Sequence, residues 1–205
     1  FQDSIFDLSA GLYSVSITDS LGCLSDIQIK LEEPQVLDAS VLTTSDFSGF
    51  SISCYGENNG SVSVSPIGGA TPYYLYWDGS LASSNFTTWT IDSLEAGVYY
   101  IDLLDANNCE YKDTVILTQP DSLEMIIIEL ADTCNRGVGK ASVAVSGGVQ
   151  PYNYLWSSGS TSSVYEDFVE GNYYVSIFDN NSCEIGDSVK IDNVPGPIID
   201  FRILS

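Results

Sequence analysis

The sequence predicts an all-β chain of tandem immunoglobulin-like β-sandwich modules arranged end to end. Three observations carry that reading. A block of residues recurs at fixed internal spacing. Short runs alternate apolar and polar residues between turn-forming residues, with no helical period. A tyrosine and a tryptophan fall where such a sandwich needs them.

The repeat sets the organisation. Leu8-Ser-Ala-Gly-Leu-Tyr13, Leu94-Glu-Ala-Gly-Val-Tyr99 and Phe168-Val-Glu-Gly-Asn-Tyr173 are three copies of one motif. Each runs on to an Asp and a Cys: Asp19 and Cys23, Asp105 and Cys109, Asp179 and Cys183. A Pro follows each Cys, at Pro34, Pro120 and Pro195. A second block occurs twice, Gly60–Tyr73 and Lys140–Tyr152, each preceded by a Cys (Cys54, Cys134) and followed by a Trp (Trp77, Trp156). Residues 1–34 read as the C-terminal part of one repeat. Residues 35–120 and 121–195 read as complete repeats, and 196–205 as a linker and the first strand of another, Ile198-Ile-Asp-Phe-Arg-Ile-Leu204. The chain opens at Phe1 without a signal-like segment and reads as a piece of a longer array.

Within the middle repeat the strands follow in order. Asp38–Thr44 is strand A, Ser61–Ser65 strand B and Tyr73–Trp77 strand C. Thr87–Ile91 is strand E, Val98–Leu104 strand F and Tyr111–Leu117 strand G. Gly68-Gly69, Asp78-Gly79 and Asn107-Asn108 mark turns between them. Leu-x-x-Gly-x-Tyr fits a tyrosine corner at the start of strand F, which assigns Tyr13, Tyr99 and Tyr173 to that role. Alternation places Tyr73, Leu75 and Trp77 on one face, with Val62, Val64, Tyr99 and Ile101 facing them. The third repeat keeps the set as Tyr152, Tyr154, Trp156, Val143, Val145, Tyr173 and Val175.

Composition excludes several functions. Six Lys and Arg stand against 28 Asp and Glu, for a net charge of −22, and there is no His. A chain with so few cations does not hold a phosphate backbone, which excludes nucleic acid. Without His, Ser/His/Asp and Cys/His nucleophiles cannot be assembled within the chain. No run is apolar and long enough to insert in a membrane; Met125–Ile128 is far short of ~20 residues. The hydrophobic share, 44%, is that of a folded protein, so the charge does not signal disorder.

Together, Cys54-x-Gly-x-Asn-x-Gly-Ser-Val-x-Val64, Gly68-Gly-x-x-Pro-Tyr-x-x-x-Trp77, Leu94-x-x-Gly-x-Tyr99 and Asp105-x-x-x-Cys109 resemble the repeat of the SprB gliding-motility adhesins of Bacteroidota. The resemblance covers nearly the whole chain. The third repeat departs from it at Arg136-Gly-Val-Gly139, where the family prefers Asn-rich turn residues. It implies a very large secreted surface protein, exported by the type IX system and used in attachment or gliding.

The five cysteines keep repeat positions, which reads as disulfide chemistry in an oxidising compartment. Cys54 lies at the A–B turn and Cys109 just past the F–G turn, at opposite ends of such a sandwich. A strand of ~7 residues spans ~23 Å, and a bridge needs Cα atoms within ~7 Å. A bridge between modules would pair Cys54 with Cys183, leaving Cys109 to pair upstream and Cys134 downstream. Another strand order would instead pair Cys54 with Cys109 and Cys134 with Cys183.

Candidate sites are few. Tyr74, Tyr76 and Tyr100 point outward from the C–F sheet, as a platform for a sugar ring or as cross-strand pairs that stabilise an exposed sheet. Asp105 and Asp179 open Asn-rich turns and are calcium candidates, against ordinary Asx-turn chemistry. No other cofactor or metal is implied. Carboxylate pairs such as Glu32-Glu33 and Glu166-Asp167 do not recur between repeats and read as solvated surface, so no enzyme is expected. Asp113-Thr114-Val, Asp187-Ser188-Val, Asp92-Ser93-Leu and Asp121-Ser122-Leu resemble the O-glycan acceptor sequence of Bacteroidota. The expected function is a structural stalk segment of an outer-membrane-attached adhesin. Its partners are neighbouring repeats, and beyond them surface polysaccharide or envelope motility and secretion components. The rivals are a lectin-like repeat and an accessory module of a secreted hydrolase.

Overall fold

The computed structural model describes residues 4–197, so the strand expected at Ile198–Leu204 lies outside the described residues. All regular structure among the described residues is β-strand. The strands are β1 (Gly11–Thr18), β2 (Leu24–Leu31), β3 (Asp38–Thr43), β4 (Gly60–Ile67), β5 (Tyr74–Trp77), β6 (Ser80–Ser84), β7 (Trp89–Leu94), β8 (Gly97–Leu104) and β9 (Glu110–Leu117). They continue as β10 (Glu124–Leu130), β11 (Asp132–Thr133), β12 (Gly139–Ser146), β13 (Asn153–Trp156), β14 (Val164–Phe168), β15 (Gly171–Phe178), β16 (Glu184–Ile191) and β17 (Asn193–Val194).

The sheet orders are those of immunoglobulin-like sandwiches. The second repeat forms β3-β4-β7 and β6-β5-β8-β9; the third forms β10-β12-β14 and β13-β15-β16. A short parallel pair, β11 with β17, adds to the third repeat. By compactness the chain divides into two units. One comprises Phe1–Ser40, Ser65–Thr88 and Ile101–Asp113; the other comprises Val41–Val64, Trp89–Tyr100 and Thr114–Ser205. The division runs through the second sequence repeat, so β3, β4, β8 and β9 each pass from one unit to the other.

The first unit holds the β1–β2 hairpin and the C–F pairing of the second repeat. β5 pairs antiparallel with β8, setting Leu75 opposite Leu103 and Trp77 opposite Ile101. All four side chains are buried, as their alternation predicts. After Trp77 the chain reverses through Asp78 and Gly79, both at positive φ, into β6. That is the two-residue primed turn of a tight hairpin, and Asp-Gly is its preferred sequence. The sequence reading finds the turn but no strand beyond it, because Ser80–Ser84 is polar and does not alternate. The β1–β2 hairpin carries Val15, Ile17, Ile27 and Ile29 at the positions of a sandwich interior, yet all four are exposed.

The second unit contains the whole core of the third repeat. Ala141, Val143, Trp156, Phe168, Val175, Ile177, Val189 and Ile191 form one buried cluster, with Tyr152, Tyr154 and Tyr173 packed against it. Trp156 meets Phe168 edge-on, ring centroids 5.5 Å apart, and donates its indole N–H to Ser162 O at 2.9 Å. Both requirements of a buried indole, apolar contact and a partner for its N–H, are thereby met. Strand E of the second repeat is Trp89–Leu94, two to three residues later than Thr87–Ile91. The pairing Gly60↔Leu94, with a register shift before Val62↔Ile91, buries Leu94 and so draws the strand onward.

All three tyrosine corners form. Tyr13, Tyr99 and Tyr173 each donate a hydroxyl to a carbonyl four residues back, at Ser9 (2.7 Å), Glu95 (3.0 Å) and Val169 (3.3 Å). The glycine opening strand B is fixed by packing. A Cβ at Gly139 would lie 2.8 Å from Ile191 Cγ2 and 2.8 Å from Phe168 O, and one at Gly60 would lie 2.7 Å from Ile52 Cδ1. Gly139→Ala is therefore expected to destabilise the third repeat by about 1–3 kcal/mol through overpacking. Urea unfolding followed by tryptophan emission measures it, and a change within about 0.5 kcal/mol is what an unconstrained surface site gives.

Candidate functional site

The repeated aspartate of the F–G turn is the starting point. Asp179 follows β15 and is buried. Its Oδ1 accepts the backbone N–H groups of Asn181 (2.8 Å) and Cys183 (2.9 Å), and its Oδ2 accepts that of Val149 (2.8 Å). Asp179 N–H donates to Cys183 O at 3.0 Å and Ser182 N–H to Asp179 O at 3.1 Å, closing the turn. One carboxylate thus joins the F–G turn to the B–C loop. The Gly-Gly pair ahead of that loop is explained by the same contact. Gly148 sits at φ 57°, and a Cβ there would come 2.8 Å from Asp179 Oδ2.

The second repeat repeats the device. Asp105 Oδ1 accepts from Asn107 (2.8 Å) and Cys109 (2.8 Å), and Oδ2 accepts from Ala70 (2.9 Å). Burial pushes the Asp105 carboxyl up, but the N–H donors of Ala70, Cys109 and Asn107 outweigh it and hold the group below its ordinary value. Asp19 is lowered by the same kind of bonds, chiefly the Cys23 N–H and then that of Leu21. Asp105 and Asp179, the calcium candidates, direct both oxygens at backbone amides, which is Asx-turn chemistry extended by a third donor. Among the described residues no group of three or more His, Cys, Asp or Glu is placed to hold a metal.

What the turn presents is a latch between repeats. Cys183 forms a disulfide with Cys54 of the A–B loop of the second repeat, across a sequence separation of 129 residues. Asn181 Nδ2 donates to Ser53 O (3.0 Å) and Phe47 O (3.3 Å), while Ser48 Oγ donates to Asn181 Oδ1 (2.8 Å). Asn180 Nδ2 donates to Ser48 Oγ at 2.9 Å. The receiving loop is itself anchored. Ser51 and Ile52 donate to Thr118 O, and Gly56 N–H donates to Gln119 Oε1 at 2.8 Å. A groove of about 380 Å³ runs beside the disulfide, lined in part by Tyr55, Pro120, Leu123 and Ile185. The alternative pairing of Cys54 with Cys109 and Cys134 with Cys183 is not formed; Cys109 and Cys134, with Cys23, are free and exposed. Cys109 and Cys183 are held alike by the aspartates of their turns, and it is the Asp179 turn that meets the Cys54 loop.

Sequence reasoning missed the latch residues Ser48, Asn180 and Asn181 as contacts, because only the pairing of the two cysteines brings them together. It also missed Asp132. This residue stands where Ile52 stands in the second repeat and is fully buried. Its Oδ1 accepts from Thr133 (2.7 Å), Val138 (3.1 Å) and Arg136 (3.2 Å), while Oδ2 has no partner. The Val138 N–H is the chief cause that lowers its carboxyl, against the opposing effect of burial.

Tyr74 and Tyr76 share the outer face of β5; Tyr74 is exposed and Tyr76 half-buried, opposite Leu104 and Asp102. Tyr100 is 60% exposed on β8. Thr114, Ser188, Ser93 and Ser122 all lie on exposed residues. Glu166 accepts a bond from Lys140 at 2.6 Å, and that contact lowers its carboxyl, the reverse of what a general acid requires. No helix among the described residues is long and apolar enough to cross a membrane.

Two segments of the chain, residues 51–81 and 132–161, match the SprB repeat family. They span the A–B loop, strand B, the Gly-Gly motif and strand C of the second and third repeats. No curated protein sequence matches the chain. Among solved structures, the three N-terminal domains of the outer capsid protein Hoc of bacteriophage RB49 are 15% identical with a TM-score of 0.40, over 77% of this chain and 59% of that one. An amphioxus IgVJ-C2 molecule is 16% identical with a TM-score of 0.32, over 68% and 99%. The fibronectin(III)-like modules of Clostridium thermocellum CbhA are 15% identical with a TM-score of 0.31, over 75% and 95%. The chain thus spans less than two thirds of the length of the Hoc fragment.

Proposed function

We propose that this chain, in which two segments match the SprB repeat, is a structural stalk segment of a large secreted cell-surface adhesin. In this reading the repeats are joined in series and transmit force; they carry no catalysis. The observation that carries it is the disulfide between the A–B loop of one repeat and the F–G turn of the next. A covalent link from repeat to repeat serves a chain that is pulled, and its persistence calls for an oxidising, extracellular setting. The net charge of −22 keeps neighbouring filaments apart and soluble. The wider reading follows the SprB resemblance: export by the type IX system, attachment to the outer membrane, and a part in attachment or gliding. Its partners are then neighbouring repeats, and surface polysaccharide or envelope motility and secretion components at the ends of the array. The exposed Thr114, Ser188, Ser93 and Ser122 are the positions such a protein offers for O-glycans.

A glycan array probed with the whole chain tests the stalk against the lectin-like reading. The stalk predicts no retained glycan. Binding that disappears in Tyr74→Ala, with Tyr100→Ala as a second probe, overturns it in favour of a polysaccharide-binding repeat.

A further inference from the structure

We infer that residues Asp46–Phe50 are the selectivity element of the latch. They recognise the side-chain amides that follow the aspartate of an F–G turn, and they seat that turn before its cysteine meets Cys54. The inference stands on bond geometry within the junction and goes beyond the stalk reading.

The element is an insertion. Ile52 follows Pro34 by 18 residues, whereas its counterpart Asp132 follows Pro120 by 12. The third repeat makes the same A–B connection without the extra residues, so the sandwich itself does not require them. They form a small finger. Phe47 and Phe50 exchange backbone bonds, at 2.8 and 3.1 Å, around Ser48 and Gly49. Asp46 Oδ1 accepts the Gly49 N–H at 2.9 Å. At the base, Ser45 Oγ donates to Ser51 O at 2.8 Å and accepts the Ser61 N–H of β4 at 3.0 Å. These bonds fix the finger from its own side of the junction, so docking needs little further ordering of it.

Ser48 carries the argument. It sits at φ 56° and Gly49 at φ 91°, which makes a two-residue primed turn. Such a turn favours Asn, Asp or Gly at the first position, because other side chains are strained there. Strain of this kind persists where a function holds it. The Ser48 hydroxyl accepts from Asn180 Nδ2 at 2.9 Å and donates to Asn181 Oδ1 at 2.8 Å. Asn181 Nδ2 donates to Phe47 O (3.3 Å) and Ser53 O (3.0 Å). Both ends of the Asn181 amide are thus matched, the oxygen by a donor and the nitrogen by two acceptors. A carboxylate of the same shape would face two carbonyls, and a leucine would leave three polar groups unmatched.

The three F–G turns of this chain differ at these two positions. Asp179 is followed by Asn180-Asn181, Asp105 by Ala106-Asn107 and Asp19 by Ser20-Leu21. Their aspartate bonds are alike, so the side chains that follow are what the finger discriminates. At about fivefold for each hydrogen bond, the finger favours Asn-Asn over Ala-Asn by about fivefold and over Ser-Leu by about 600-fold.

The covalent step that docking promotes is thiol–disulfide exchange with a small-molecule disulfide such as oxidised glutathione. The thiolate of Cys54 or Cys183 attacks it and expels one glutathione thiolate. The thiolate of the other cysteine then attacks the protein sulfur of that mixed disulfide and expels the second. Two protein thiols lose two protons and two electrons, and one oxidised glutathione becomes two reduced.

The test equilibrates the whole chain in glutathione redox buffers and quantifies the Cys54–Cys183 link by mass-spectrometric mapping, which gives the effective concentration of the two thiols. Asn181→Asp should lower it about a hundredfold, the worth of three hydrogen bonds. Asn107→Asp, at the same place in the Asp105 turn, should leave it within about twofold. Ser48→Gly is the decisive variant, because it removes the hydroxyl and relaxes the backbone together. A turn that is only structural gains from that change, whereas the selectivity element loses two bonds and about 25-fold in effective concentration. In Cys54→Ser with Cys183→Ser, the Asn181 side-chain amide should still exchange slowly with solvent, since docking needs no bridge. An unchanged or raised effective concentration in Ser48→Gly overturns the inference, as does free exchange of that amide in the serine double variant.

Discussion

Asp179→Ala is expected to cost about 3 kcal/mol and to unseat the junction between the second and third repeats. Three N–H groups, of Val149, Asn181 and Cys183, lose their acceptor at once. Each unsatisfied buried donor costs about 1–3 kcal/mol, and water that re-solvates the outer part of the turn recovers some of it. Val149 belongs to the B–C loop, so the damage reaches past the F–G turn itself. Urea unfolding gives the magnitude, and amide exchange at Val149 and Cys183 locates it. Asp179→Asn keeps one acceptor oxygen and should lose less. If Asp179→Ala costs under about 1 kcal/mol, the turn is held by its glycines and backbone instead. Asp105→Ala should behave alike, because its three donors match.

Removing the latch should be nearly as costly. In the chain-entropy account a bridge closing a loop of about 100 residues stabilises by about 4.7 kcal/mol, and natural bridges typically measure 2–4 kcal/mol. The loop here spans 129 positions, so Cys54→Ser with Cys183→Ser should lose about 3–4 kcal/mol. The bonds from Asn180 and Asn181 to Ser48, Phe47 and Ser53 remain in that variant and moderate the loss. Force extension gives a sharper reading. With the bridge intact, the stretch between the two cysteines, a sequence separation of 129, cannot extend; reduction should add about 450 Å at ~3.5 Å per residue. Equal extension with and without reductant would show that the bridge does not bear the load.

Much of the sandwich was legible in the residues. Alternation turns Val62, Val64, Leu75 and Trp77 inward, and all four are buried. The apolar-x-x-Gly-x-Tyr motif marks the tyrosine corners, and each hydroxyl bonds four residues back. These features follow from periods and turns a few residues long. β6 was not legible, since its polar residues gain their place only by pairing with β5 across the Asp78-Gly79 turn. The shift of strand E to Trp89–Leu94 was hidden for a similar reason, because burial of Leu94 depends on its partner Gly60.

The site divides in the same way. The recurrence of Asp-x-x-x-Cys marked the turn, and spacing left two disulfide pairings open. What the carboxylate does with its second oxygen is a contact 30 residues away, from Val149 to Asp179. No local pattern encodes it, although the Gly-Gly pair recurring ahead of that loop was its one visible trace. Asp132, a carboxylate where its counterpart is Ile52, is likewise recognisable as buried only in three dimensions.

By itself, then, the sequence determined the repeat, most of the strands and the inward side chains of strands B and C, because alternation, turn chemistry and repetition act over a few bonds. The tertiary structure alone decided which cysteine meets Cys54, which loop each aspartate clamps and which asparagines grip a neighbouring repeat. Those choices depend on closing loops of tens to more than a hundred residues, where the partner is selected by geometry and not by its distance along the chain.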